Sequence, residues 1–406
     1  MDFTYELEQL EQGNRDPKLI AQMINNHKDK AEKMKQAYDR YKAECLPIQD
    51  RKLDDPMNIN NVISHDFFGE IIDMKIGYFA GTPATYVLPT QADKPFKDFS
   101  IRNRLADLDA ETTKYASICG YGARLSYIDE NKDIRVVNLK PWQAIPIGSN
   151  GMDESDFGLR YYKVKTGDKE ECRAELYEPL KMTEYRGDGF GVLKIHQTKT
   201  LVFNFCPLWG YENNEELLGD GDKVISEIDA YDRVVSDVNS EIEAFRMAYL
   251  AFYGVLPPDE EEEESYVKAG TFYFSKDGNG GQSGGEFITK TLQDTAIENH
   301  LNRLHDDIYR FSKTPDLSDS AFGGTVTGVA AKYKLLPLEN KTATFERKFK
   351  SSSLRMFQVL EGPFKGKGIT FNPFEVEMTF TRTFPEDLLS EATATVQLKG
   401  QVSEET

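Results

Sequence analysis

The 406-residue sequence predicts an α+β fold built from two or three packing units. Three observations predict it. Residues 123–205 alternate β-branched and aromatic positions with turn residues, the pattern of antiparallel strands. From Val224 onward, apolar side chains recur at helical spacing instead. A composition that is 39% hydrophobic, with 20 Tyr and 25 Phe, supplies the apolar area for a substantial core.

The first 45 residues read as helix, with Pro17 behind Asp16 at a start signal and apolar positions spread through a highly charged strip. A second helix is expected over residues 65–79, dominated by Phe67, Phe68, Ile71, Ile72, Met74 and Ile76, and ending at Gly81-Thr82-Pro83. A third is expected over 101–119, stopped by Gly120 and Gly122. Five to seven strands follow up to residue 205, ending in the run LVFNF, with residues 129–133 as a hairpin loop.

Beyond Gly219-Asp220-Gly221, the residues Val224, Ile228, Tyr231, Val235, Val238, Ile242, Phe245, Tyr249 and Phe252 follow one another at alternating spacings of four and three. That is a heptad seam, and it predicts a helix of about 30 residues, roughly 45 Å long. Its remaining surface is acidic, with Asp229, Asp232, Asp237 and Glu241 prominent. Pro257-Pro258 stops the pattern, and the run Asp259, Glu260, Glu261, Glu262, Glu263, Glu264 follows. Two strand-like runs flank a glycine-rich loop, KDGNGGQSGG. Thr295 and Glu298 have capping-box spacing and open a second amphipathic helix, with Ile297, Leu301, Leu304, Ile308 and Phe311 as its seam. Residues 329–360 read as a third helical stretch, kinked or broken at Pro337. Residues 329–367 carry nine Lys and Arg against three Glu, in a chain of net charge −19. FNPFEVEMTFTRTF closes the fold as a strand.

Several chemistries are disfavoured. Gly323 and Gly328 have P-loop spacing, but Val329 and Ala330 stand where Lys and Ser or Thr are needed, so an NTP-dependent enzyme is the minor reading. His300 and His305 are five apart, whereas a zinc helix uses i and i+4. The five histidines form no recognisable catalytic frame, so no catalytic residue, metal or cofactor is expected. Cys45, Cys119, Cys172 and Cys206 are widely spaced and read as reduced core thiols of a cytosolic protein. The acidic start MDFTYELEQLEQ has no apolar region of a signal peptide, and no run suits a membrane span. The acidic run 259–264 reads as solvated surface or as a docking site for a basic partner.

The seams demand partners. Each large side chain left wet forgoes about 1.5–3 kcal/mol of burial. An intramolecular helical hairpin, or a core helix beneath the strands, would cover part of the long seam. Five seam positions on the second helix cannot match nine on the first, and the surplus suggests self-association. A head-to-tail contact closing into a ring is one solution. A coiled-coil scaffold that touches no DNA is another.

Three phrases carry a resemblance: MKIGYFAGTPATY, NNEELLGDGDKVISEIDAYDRVVSDVNSEIEAF and GGTVTGVAAKYKLLPLENKTATFERKF. In that order they resemble the portal proteins of tailed double-stranded-DNA bacteriophages, in the subgroup of long-tailed phages of Gram-positive hosts. The resemblance implies a portal fold that forms a twelve-membered ring at one capsid vertex, through which DNA enters and leaves. It implies a wing over 1–220, a first stem helix over 221–254, a clip over 255–292 and a second stem helix over 293–313. A tunnel loop over 314–328 would be followed, over 329–384, by a kinked helix and a return strand. The loop would present Asp319, Ser320, Phe322, Gly323, Gly324, Thr325, Val326, Thr327 and Gly328 to DNA, with Lys332 and Lys334 as weak, exchangeable phosphate contacts. The acidic stem face would keep passing DNA from adhering, without sequence-specific contact. Residues 385–406 would begin a crown that is short or truncated. The implied partners are the terminase large subunit, a head-completion or adaptor protein, and the capsid and scaffold proteins. The implied location is the virion's portal vertex, after assembly in the host cytoplasm and with no membrane stage.

Overall fold

The computed structural model describes residues 3–52, 59–149, 151–167, 169–245, 249–253, 271–274, 284–288, 294–318 and 328–383. They form mixed helix and sheet in two compact units. One comprises residues 1–42, 68–223 and 312–406, the other 43–67 and 224–311.

In the larger unit, α1 (Thr4–Glu11) precedes α2 (Pro17–Tyr41). The Asp16 carboxylate caps α2 by accepting the Lys18 amide at 2.9 Å, and Pro17 fills the first turn. Helix α3 (Phe67–Ala80) follows, its first residue lying at the boundary between the units. The single helix expected over 101–119 is two: α4 (Thr90–Asn103) and α5 (Leu105–Cys119). Arg104 separates them with a left-handed φ of 50°. Nothing in the local sequence announces that break, because Arg is an ordinary helix former.

Seven strands lie between residues 121 and 200, within the five to seven expected up to residue 205, and an eighth follows at Leu208–Glu212. β2 (Tyr121–Ile128), β3 (Ile134–Leu139) and β9 (Leu208–Glu212) form a three-stranded sheet in the order β3-β2-β9. β4 (Ala144–Ile147), β5 (Phe157–Thr166), β6 (Lys169–Glu178), β7 (Lys181–Gly187) and β8 (Lys194–Thr200) form a sequential antiparallel meander. The hairpin loop at 129–133 is present. Asp129 Oδ1 accepts the amides of Asn131 and Asp133 at 3.0 and 2.9 Å, which fixes the turn. The run LVFNF is not a strand. The Leu201 amide instead donates to the Leu180 carbonyl, the Leu180 amide donates to the Phe203 carbonyl, and the Phe203 side chain is buried as a core plug. β1 (Thr85–Val87) pairs with β13 (Glu377–Thr379), so the closing strand is real but short.

Helix α8 (Gly328–Gly366) runs unbroken through Pro337. Before that proline its described side chains are mostly exposed, Tyr333 at 72%. After it, Phe345, Phe349, Phe357 and Leu360 enter a core shared with Phe79, Trp209 and Tyr211. A second core joins α1 and α2 to the meander through Leu10, Ile20, Met23, Leu159, Leu176 and Tyr185.

The smaller unit holds α6 (Ile225–Phe245), β10 (Tyr249–Tyr253), β11 (Thr271–Phe274), β12 (Gly284–Ile288) and α7 (Asp294–Ser312). The long helix expected to reach residue 254 therefore ends at Phe245. Tyr249 and Phe252 lie on the central strand of the sheet β11-β10-β12. YLAFY is rich in aromatics that suit a pleated surface, and pairing on both sides overrides the helical spacing. Three cysteines are buried thiols as expected, but Cys45 is exposed.

Candidate functional site

The seam residues of α6 are unequally covered. Val224 and Ile228 are buried, Tyr231, Val235 and Val238 are half-buried, and Ile242 is 49% exposed. Phe245 is the last residue of the helix. On α7, Ile308 is buried, Ile297, Leu301 and Leu304 are half-buried, and Phe311 is exposed. Both seams thus retain apolar surface within one chain.

The side of α6 that is buried in its middle is polar. Asp232, Ser236 and Ser240, four residues apart, face an extended segment, residues 59–65. Asp232 Oδ1 accepts the His65 amide and meets His65 Nδ1, both at 2.9 Å. Ser236 Oγ accepts the Ile63 amide at 3.0 Å and donates to the Ile63 carbonyl at 3.2 Å. Ser240 Oγ accepts the Asn61 amide at 2.9 Å. The match is geometric: two residues of extended chain advance about 6.7 Å, and four residues of helix advance about 6 Å. Asn61 Nδ2 also donates to Glu243 at 2.8 Å. The segment ends in a cluster of rings, in which Phe67 lies 5.1 Å from Tyr231, 5.9 Å from His305 and 6.0 Å from Tyr309.

This corrects the reading of the acidic residues as one uniform face. Asp232 belongs to the buried side. Burial raises its carboxyl pKa, while the His65 contacts oppose that shift. Asp229 and Asp237 share a neighbouring face with Arg233, beside Pro47, Ile48 and Arg51, and Asp237 pairs with Arg51. Glu241 is half-buried. Sequence reasoning missed the strap because Ser236 and Ser240 look like ordinary helix surface. Serine at four-residue spacing beside an apolar seam was the available signal.

In the larger unit, the basic stretch is largely internal glue. Lys341 meets Asp220 at 3.8 Å and the Ser312 carbonyl at 3.0 Å. Lys348 pairs with Glu212 at 2.6 Å and Glu215 at 2.8 Å, and Lys350 with Glu346 at 2.7 Å. Arg355 donates to the Asp153 carbonyl at 3.0 Å. Lys332 and Lys334 are exposed on the first turns of α8, whose first residue is Gly328. The rest of the expected tunnel loop, Asp319, Ser320, Phe322, Gly323, Gly324, Thr325, Val326 and Thr327, lies outside the described residues. So do the acidic run Asp259, Glu260, Glu261, Glu262, Glu263 and Glu264 and residues 384–406.

Lys75, Asp220 and Lys341 form a buried ionic cluster, one residue from each of the three phrases quoted above. Lys75 Nζ lies 2.9 Å from Asp220 Oδ2 and 4.1 Å from the centre of the Phe345 ring. It also donates to Asn213 Oδ1. The three phrases thus meet in space within the larger unit.

Among the described residues, Lys75, Asp220 and Lys341 tie together segments of the larger unit that are distant in sequence. The sequence matches the family described as phage portal protein, SPP1 Gp6-like, over residues 20–406. It is 28% identical over 357 residues to the portal protein of Bacillus phage SPP1, spanning 82% of this chain and 69% of the relative. To the portal protein of Clostridium phage phiCD119 it is 23% identical over 368 residues, spanning 85% of this chain and 80% of the relative. The chain belongs to the SPP1 Gp6-like phage portal protein family. Its role is that of the DNA-packaging channel of a phage particle, and it is structural, not enzymatic.

Proposed function

We propose that copies of this chain close into a ring, twelve-membered as the family resemblance implies, at one capsid vertex. In this reading the larger unit supplies the wing, and α6 and α7 are the stem. The sheet β11-β10-β12, with the intervening 254–292 segments, is the clip. Residues 314–328 are the tunnel loop, which leads into α8. The terminase large subunit and a head-completion or adaptor protein dock at the clip, where the 259–264 carboxylates attract basic partner surfaces. Capsid and scaffold proteins contact the wing, and assembly takes place in the host cytoplasm.

The family match, extending from residue 20 to residue 406, carries this reading. The apolar surface left on both stem seams supports it, because a neighbouring copy would cover Ile242, Val238 and Phe311. An exposed N-terminal stretch of α8, carrying only Lys332 and Lys334 as cations before Pro337, suits transient contact with DNA. A dozen strongly basic linings would hold the duplex instead of passing it. Native mass measurement tests the reading. Closed rings of many copies are expected, and a chain that stays single at high concentration refutes it.

A further inference from the structure

We propose that residues 59–65 form a clasp on α6 that opens as a local unit while the helix stays folded, with Asp232, Ser236 and Ser240 as its three catch points. The clasp is anchored at both ends. Phe67 is buried in the ring cluster on one side, and Arg51 pairs with Asp237 on the other. Between these anchors the attachment is mainly polar, with the His65 ring packed edge-on 4.8 Å from the Tyr231 ring. The residues that face the helix, Asn61, Ile63 and His65, are only half-buried, and Asn60, Val62 and Ser64 are exposed.

The energetics favour separate opening. Little apolar area is lost to water when the segment lifts, and each hydrogen bond released contributes only about 0.5–1.5 kcal/mol net. The groups uncovered are a carboxylate and two hydroxyls, which water solvates readily, and part of the Tyr231 ring. Helix α6 does not depend on the clasp for its own ladder, and Ser240 keeps a bond to the Ser236 carbonyl at 2.7 Å. A segment with these properties belongs to the low-stability end of local unfolding. When it is closed, a neighbouring molecule meets α6 on the side of Val235, Val238 and Ile242. When it is open, the Asp232–Ser236–Ser240 side becomes available as well. The inference rests on the geometry of this unit and not on the portal assignment.

Residue-resolved amide exchange on the full chain tests it. The amides of Asn61, Ile63 and His65 are expected to be protected, and those of Asn60, Val62 and Ser64 not, giving a period-two pattern. The protected three should exchange at a rate insensitive to low denaturant, well before the Leu176 amide in β6. Ser236→Ala should speed all three by at least about tenfold and leave the amides of residues 232–240 unchanged. Ser236→Thr, which keeps the hydroxyl, should restore protection. Uniform protection across 60–65, exchange of the three only together with Leu176, or equal acceleration of the α6 amides in Ser236→Ala would each overturn the proposal.

Discussion

Lys75 and Asp220 meet at 2.9 Å with the lysine side chain wholly shielded from solvent and the aspartate 4% exposed. Removing one member of such a pair leaves the other charge buried and uncompensated, at a cost of about 3–5 kcal/mol. The two members are not equivalent. Without Lys75, the Asp220 carboxylate keeps Lys341 at 3.8 Å and the Asn213 amide at 3.2 Å. Without the carboxylate, both lysines lose their counter-ion. Asp220→Asn is therefore expected to destabilise the chain more than Lys75→Met does, as read from the midpoint of chemical denaturation.

Stability is expected to fall steeply in acid. Burial pushes the Asp220 carboxyl up, but Lys341 and Lys75 together outweigh it and bring its pKa down to about 2. Its folded value lies below its unfolded one, so this contribution is present above pH 4 and lost as pH falls toward 2. His27 acts in an adjoining window. It is buried between the Tyr161 and Tyr121 hydroxyls at 2.8 and 3.1 Å. Burial, helped by Lys30, lowers its pKa from 6.5 to about 4. The unfolded chain binds the extra proton, so stability drops between pH 6.5 and pH 4. Melting temperature against pH should show both phases, and His27→Gln should flatten only the upper one.

Ile242 separates folding from assembly. At 49% exposure it contributes little to the single chain, so Ile242→Glu should shift the unfolding midpoint by less than about 0.5 kcal/mol. On a stem seam covered by a neighbour, the same carboxylate is desolvated and opposes association. Rings are expected to be lost while the monomer remains folded, a combination that native mass and circular dichroism resolve together.

Replacing Gly323 and Gly324 with Val should leave ring formation intact and stop DNA packaging. Branched side chains would restrict the backbone freedom that the proposed tunnel loop would need to pass close to a duplex. Normally filled heads from that variant would remove the loop from the mechanism.

The α+β class, the strand-rich region, the two seam helices and the family were all legible in the chain, because each rests on local periodicity or on short phrases. Ends of elements were less so. Helix α6 stops at Phe245 because β10 finds strand partners on both sides, and α4 separates from α5 at an ordinary Arg104. The pairing of the basic stretch after Val329 was not legible, since its counter-ions Glu212, Glu215 and Asp220 lie more than a hundred residues away in sequence.

By itself the sequence determined where most helices and strands lie and which family the chain resembles. Periodicity is written along the backbone, so it survives without a partner in view. Only the tertiary structure decided that Lys75, Asp220 and Lys341 form one cluster, and that Ser236 serves Ile63. Pairings between distant residues depend on where the chain returns in space, and the strength of each charge or hydroxyl depends on the burial that return creates.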